Sequence, residues 1–170
     1  MLGVVMNDIR RPAQAWRSAL NLIWLALTAS LGLYWMVHLL MGTRPQAPPA
    51  GPTPLPMILA LQAAVAWVVG WALHGSLVRS VSAQVAPMMI QRLGPDERLA
   101  LQQRVQSSTI ASLALFESGA VFGLVNSLLA SAIPKLFEWL AIGSFFCLVW
   151  FRLNGFPRVI DLLEKLDVRA

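Results

Sequence analysis

The chain has 170 residues, of which 57% are hydrophobic and only 12% charged, with a net charge of +5 and a mean hydropathy of +0.64. Soluble domains carry about 45–50% apolar and about 25% charged residues, so this balance excludes an ordinary water-soluble globule and makes lipid the solvent. The basic residues lie scattered at the ends of apolar runs, which argues against a nucleic-acid partner and for headgroup anchoring.

In chain order, Leu2, Val5, Met6 and Ile9 recur at helical spacing in the opening residues. The first apolar run is Leu20 to Met41, preceded by Arg10, Arg11 and Arg17. A signal peptide has a core of about 7–15 apolar residues, so this longer run reads as a retained span. Residues 42–56 hold six prolines, a composition that favours an extended polyproline II spacer over helix or sheet. A second span covers Met57 to Val78, with Gln62 in its outer half expected to hydrogen-bond between helices and Trp67 and Trp71 deep enough to pack between them. The connection 79–109 reads as structured, with Pro95, Asp96 and Glu97 in the order that opens a helix. That helix is expected to run into a third span, Ile110 to Ile133. A fourth, Leu136 to Phe151, is short for the ~17–25 residues of a spanning helix unless Lys135 and Arg152 snorkel to the interfaces. In the tail 157–168, Val159, Leu162, Leu163 and Leu166 oppose Arg158, Asp161, Glu164, Lys165 and Asp167, the pattern of an amphipathic helix. It can lie on the inner leaflet or dock on the chain's own cytoplasmic loop. The expected architecture is all-α: a single polytopic membrane domain of four transmembrane helices with a short C-terminal amphipathic helix.

Orientation follows from the basic residues. Arg10, Arg11 and Arg17, then Arg79, Arg92, Arg98 and Arg104, then Arg152, Arg158, Lys165 and Arg169 fall on one side, against Arg44 and Lys135 on the other. The positive-inside rule places the first set, and with it both termini, in the cytoplasm of a bacterium whose inner membrane holds the chain.

Glu117 stands alone in the uncharged stretch from Val105 to Pro134. A charge at mid-bilayer costs about 2.5–3.5 kcal/mol on the mildest scale, which makes an intramembrane carboxyl a functional candidate. On the third helix Ser108, Ser112, Gly119, Gly123 and Asn126 share one stripe, a small-residue surface containing a G-x-x-x-G that suits close helix packing. Glu117 lies on the opposite stripe. Thr28 and Ser30 match it in depth, and His74 lies one to two turns shallower. Three roles fit: a packing residue hydrogen-bonded to another helix, a proton- or ion-binding group, and a contact satisfied only in a homo-oligomer or with another membrane subunit. A lone histidine such as His74 or His38 is more often a packing residue than a relay. Cys147, the single cysteine, sits in an apolar run and reads as a packing hydrophobe. The sequence offers no nucleophile with a base, no phosphate-cradling loop, no metal-ligand cluster and no cofactor motif, so it does not point to an enzyme.

The run from Leu113 to Leu129 resembles the second helix of the ring-forming proteolipid subunit c of rotary ATP synthases, where an ion-binding carboxylate precedes Gly-Leu-Val by six residues, as Glu117 precedes Gly123. That resemblance implies an ion-binding role for Glu117 in proton transport, although the preceding span offers only Gly70 and Gly75 in place of that subunit's glycine repeat. From Ile110 onward the chain is also similar to a widespread group of uncharacterised bacterial four-helix membrane proteins, with a Leu-Ala-Leu-x-Glu run, a fourth span and a proline-led tail from Phe156-Pro157 to Leu166-Asp167. This likeness implies the four-span architecture and no activity. Together these readings lead to a non-enzymatic structural or assembly component of the membrane, with a proton- or ion-binding proteolipid as the alternative.

Overall fold

The first two apolar runs lie within longer helices, and the described part of the third lies on a helix that begins well before it. The computed structural model describes residues 11–42, 54–85, 93–128 and 135–167, and in chain order they form α1 (Arg11–Gly42), α2 (Leu55–Gln84), α3 (Pro95–Leu128), α4 (Leu136–Trp150), a π-helical turn (Phe151–Gly155) and α5 (Phe156–Asp167). The first three have 32, 30 and 34 residues. At 1.5 Å per residue they run about 45–51 Å, beyond the ~30 Å hydrocarbon core. No strand occurs among the described residues. Four helical stretches, the last comprising α4, the π turn and most of α5, are long and apolar enough to cross a membrane. The chain is a multi-pass integral membrane protein of the all-α class.

Local chemistry sets the helix starts. Pro95 opens α3 at a position whose N–H has no intrahelical partner, and Glu97 reaches back to accept the Gly94 N–H at 3.0 Å, the carboxylate half of a capping box. From there α3 runs without interruption through the span, so its first turns carry Arg98 and Arg104 beyond the apolar segment. Its described end is Leu128, and the rest of the expected span, 129–133, lies outside the described residues, as do the opening residues 1–10, most of the proline tract (43–53) and residues 86–92. Lys135 enters α4 in the left-handed region with φ 66°.

α4 does not stop at the span boundary. Five residues of wider π turn carry it directly into α5, so the fourth span and the tail form one helical run. The apolar face of α5 is buried by the chain itself: Val159, Leu162, Leu163 and Leu166 are each at most 4% exposed. They join Leu20 of α1, Leu77 and Val81 of α2, and Leu101 and Val105 of α3 in one core. Docking on the protein therefore accounts for that face, and the leaflet is not needed to cover it. This end of the bundle, where α1 begins and α5 packs, is the basal end.

α3 lies centrally and packs against α2, α4 and α1. Its small-residue stripe accepts the closest neighbours. Ser112, Gly119, Gly123 and Asn126 are buried, with Ser108 partly so. A Cβ placed on Gly119 would meet the Trp67 ring of α2 at 2.5 Å and Ser144 Oγ of α4 at 2.8 Å, and one on Gly123 would meet the Phe137 Cα at 3.0 Å. Gly143 of α4 backs onto the same Trp67 ring. The Trp67 indole is thus wedged where three helices meet.

α1 sits differently. It shows Leu22, Leu25, Leu33, Met36, Leu39 and Leu40 to the outside, each more than half exposed, as a lipid-facing helix does. Its bundle face follows a 3-4 spacing, Arg17, Leu20, Trp24, Leu27, Leu31, Tyr34 and His38, the seam of a heptad pattern. Four of those seven side chains carry polar atoms.

Candidate functional site

Glu117 lies on the middle of α3, partly buried, on the side that faces α1. Two hydroxyls of α1 converge on its Oε1: Ser30 Oγ donates to it in a short bond, and Tyr34 Oη donates at 3.2 Å. The two donors are four residues apart and so share one helical face. Ser30 Oγ also lies 2.7 Å from the carbonyl of Leu27 on its own helix. A hydroxyl has a single proton, so that proton is divided between the Leu27 carbonyl and the Glu117 carboxyl. Glu117 Oε2 takes no hydrogen bond among the described residues.

The turn of α3 that carries Glu117 is held from both other sides. Trp67 Nε1 of α2 donates to the Phe116 carbonyl at 3.2 Å, and the Ala120 N–H donates to Ser144 Oγ of α4 at 3.0 Å. The Phe116 ring packs on Trp71 at 5.6 Å between centroids and covers Gly70, where an added Cβ would lie 2.8 Å from the ring. Two helices, α2 and α4, therefore fix the carboxyl's backbone while a third, α1, supplies its hydrogen bonds.

The other residues singled out by sequence fall in different places. Thr28 bonds the carbonyl of Trp24 in its own helix at 2.8 Å and lines an apolar groove of about 340 Å³ between α1 and α4. His74 is buried near the basal end with its ring against Phe151 at 5.1 Å and Trp150 at 6.4 Å, and neither ring nitrogen has a hydrogen-bond partner. It is not joined to Glu117. Ser112 Oγ and Asn126 Oδ1, buried on the small-residue stripe, likewise lack partners. Gln62 is exposed and forms no interhelical hydrogen bond among the described residues, contrary to the expectation for it, because its side chain points away from the neighbouring helices. Cys147 is half-buried and packs against the core. Among the described residues, no group of three His, Cys, Asp or Glu could hold a metal ion.

Sequence reasoning missed Tyr34, the only tyrosine in the chain, and the contact of His38 Nδ1 with Ser127 Oγ at 3.1 Å. The signal was present in the heptad seam of α1, on which both lie. With Arg17 to Glu164 at 2.5 Å and Trp24 Nε1 to the Leu148 carbonyl at 3.1 Å, these bonds form a ladder of polar contacts along the length of α1. No family model, curated protein or solved structure matches this chain.

Proposed function

We propose that this protein is a non-enzymatic structural or assembly component of a bacterial inner membrane, with both termini cytoplasmic, in which Glu117 acts as an intramembrane clasp. The observation that carries the reading is the convergence of Ser30 and Tyr34, both from α1, on one oxygen of Glu117. An intramembrane carboxyl satisfied by hydroxyls of the same chain offsets its desolvation by fixing a helix pairing, and helix association in lipid depends on such bonds because lipid supplies no hydrophobic drive between helices. A second copy or another membrane subunit would meet the bundle on its lipid-facing surfaces.

A second reading is favoured by one feature of the same site. Ser30 has two acceptors within reach, so it can donate to an ionised Glu117, or turn to the Leu27 carbonyl and accept from a protonated one. The geometry accommodates gain and loss of a proton without moving a helix, as a proton- or ion-binding proteolipid similar to subunit c requires, and Oε2 is left for a further ligand.

Carbodiimide labelling and native mass separate the two. A monomer or dimer in mild detergent, with slow labelling at Glu117 that disappears in Glu117→Gln, supports the clasp. A closed ring of many copies whose reconstituted proton flux is abolished by Glu117→Gln supports the proteolipid and rejects the clasp as the main role.

A further inference from the structure

A cleft of about 350 Å³ opens at the basal end between the start of α1 and the junction of α4 with α5. Its charged and polar walls are Arg17 and Asn21 from α1, Arg152 from the π turn, and Asp161 and Glu164 from α5, with Phe156 as part of its apolar floor. Arg152 is the organising group. Its guanidinium carbon lies 4.3 Å from the centroid of the Phe156 ring and 5.9 Å from that of Trp24. The Trp24 indole is itself held by its bond to the Leu148 carbonyl. Stacking on aromatic faces orients the guanidinium while leaving its N–H donors free in the ring-facing geometry. No ion pair or hydrogen bond among the described residues uses those donors.

The other charges are already matched. Arg17 pairs with Glu164 Oε1 at 2.5 Å, and Lys165 with Asp161 Oδ2 at 2.6 Å. Each pair engages one carboxylate oxygen, so Glu164 Oε2 and Asp161 Oδ1 take no hydrogen bond or ion pair among the described residues. The lining therefore combines an aromatic-stacked guanidinium, Arg152, with two carboxylates that each keep one oxygen outside a hydrogen bond, and it holds two guanidiniums and two carboxylates in all. Such a lining suits a zwitterion better than a net anion.

Its depth identifies the source of that zwitterion. In the sequence Arg17 precedes the apolar run Leu20–Met41 and Arg152 directly follows the run Leu136–Phe151, the positions at which basic side chains meet the headgroup level of a bilayer. Directly along α1 toward the membrane centre, Leu22 and Leu25 are 66% and 58% exposed, a surface for acyl chain rather than water.

We propose that this cleft binds the headgroup of a zwitterionic aminophospholipid, its phosphodiester on the Arg152 guanidinium and the Asn21 amide and its ammonium on the free oxygens of Asp161 and Glu164. The lipid joins α1 to the tail at the bilayer surface. Arginine binds phosphate oxygens through charge-assisted bonds, the stronger class of hydrogen bond, and the carboxylates select an amine-bearing headgroup.

The test uses the full-length protein in detergent with equal amounts of phosphatidylethanolamine, phosphatidylglycerol and phosphatidylcholine of matched chains, read by native mass spectrometry of retained lipid. Phosphatidylethanolamine should be retained preferentially. Arg152→Ala should lower its retention roughly tenfold, the loss of about one strong polar contact, while Arg79→Ala, on the exposed face of α2, leaves it unchanged. Asp161→Asn, which breaks only an exposed pair, should keep the fold and shift the preference toward phosphatidylglycerol; this variant keeps the test decisive if Arg152→Ala fails to fold. Equal retention of the three lipids, retention indifferent to both variants, or displacement by soluble glycerophosphoethanolamine as readily as by the lipid would each overturn the proposal.

Discussion

Ser30 and Tyr34 reach the same oxygen of Glu117, so neither is expected to be indispensable alone. Interhelical hydrogen bonds measured in membranes average about 0.6 kcal/mol and reach about 1.7. Tyr34→Phe should therefore cost an amount in that range, and Ser30→Ala a similar one, in unfolding of the detergent-solubilised protein. The double variant strips both donors from an intramembrane carboxyl and should cost more than the sum; strict additivity would show that the two hydroxyls do not share an acceptor in solution. Depth along the spans pointed to Ser30, because residues near the middle of two crossing helices must lie at similar heights. Depth pointed equally to Thr28, which faces the groove beside α4 instead, and gave no reason to choose Tyr34. What separates them is the rotation of α1 about its own axis: Tyr34 lies on the heptad seam, and Ser30 and Thr28 fall on opposite flanks of it. His74 has the chemistry of a partner for Glu117, but its ring is enclosed by Phe151 and Trp150 at the basal end.

Trp67 dominates at the scale of the elements. Its indole fills the space left by Gly119 and Gly143, and its N–H ties α2 to α3 at the Phe116 carbonyl. Gly143→Val forces a side chain into that ring, and overpacking of this kind costs about 1–3 kcal/mol. Gly32 of α1 has nothing within 4 Å of the position its Cβ would take, so Gly32→Ala should be neutral or stabilising by up to ~1 kcal/mol through helix propensity. Thermal denaturation in detergent distinguishes them, and a Gly143→Val protein as stable as the parent would show that the wedge is loose. The G-x-x-x-G was legible as a close-packing surface. That its ridge would be a tryptophan from α2 as well as the backbone of α4 was not, because glycine spacing marks where a neighbour comes near and leaves the neighbour unnamed. The amphipathic tail was legible in its period. Its docking partner became visible only once Leu20, Val81, Leu101 and Val105 were seen to meet at one end.

For the molecule as a whole, the number of spans and their class could be read from hydropathy because a bilayer leaves the backbone few alternatives to the helix. The contact of Arg17 with Glu164 brings the start of α1 and the tail to the same end of the bundle, and Arg158 and Lys165 belong to that tail. A reporter fused after Ala170 should therefore be active in the cytoplasm, as should one inserted between Gly94 and Pro95, while a periplasmic signal from either would reject the orientation. The helix order around α3 was not legible, since an apolar residue facing lipid and one facing another helix are chemically alike. Only the small, polar and aromatic residues of α3 and α1 distinguish the two surfaces.

The sparse attachment of α1 has a kinetic side. Few of its side chains are buried, Leu20 and Leu31 among them, so much of its hold on the bundle rests on the polar contacts of Trp24, Ser30, Tyr34 and His38 within the membrane and of Arg17 at its edge. Helix opening begins where packed contacts are fewest, which makes α1 the first element to leave and the last to join. Lipid offers no substitute donors or acceptors, so peeling it away strands the Glu117 carboxyl, the His38 ring and the Trp24 N–H together. The departure is cooperative: the clasps hold as a set, and the helix is either latched along its length or released.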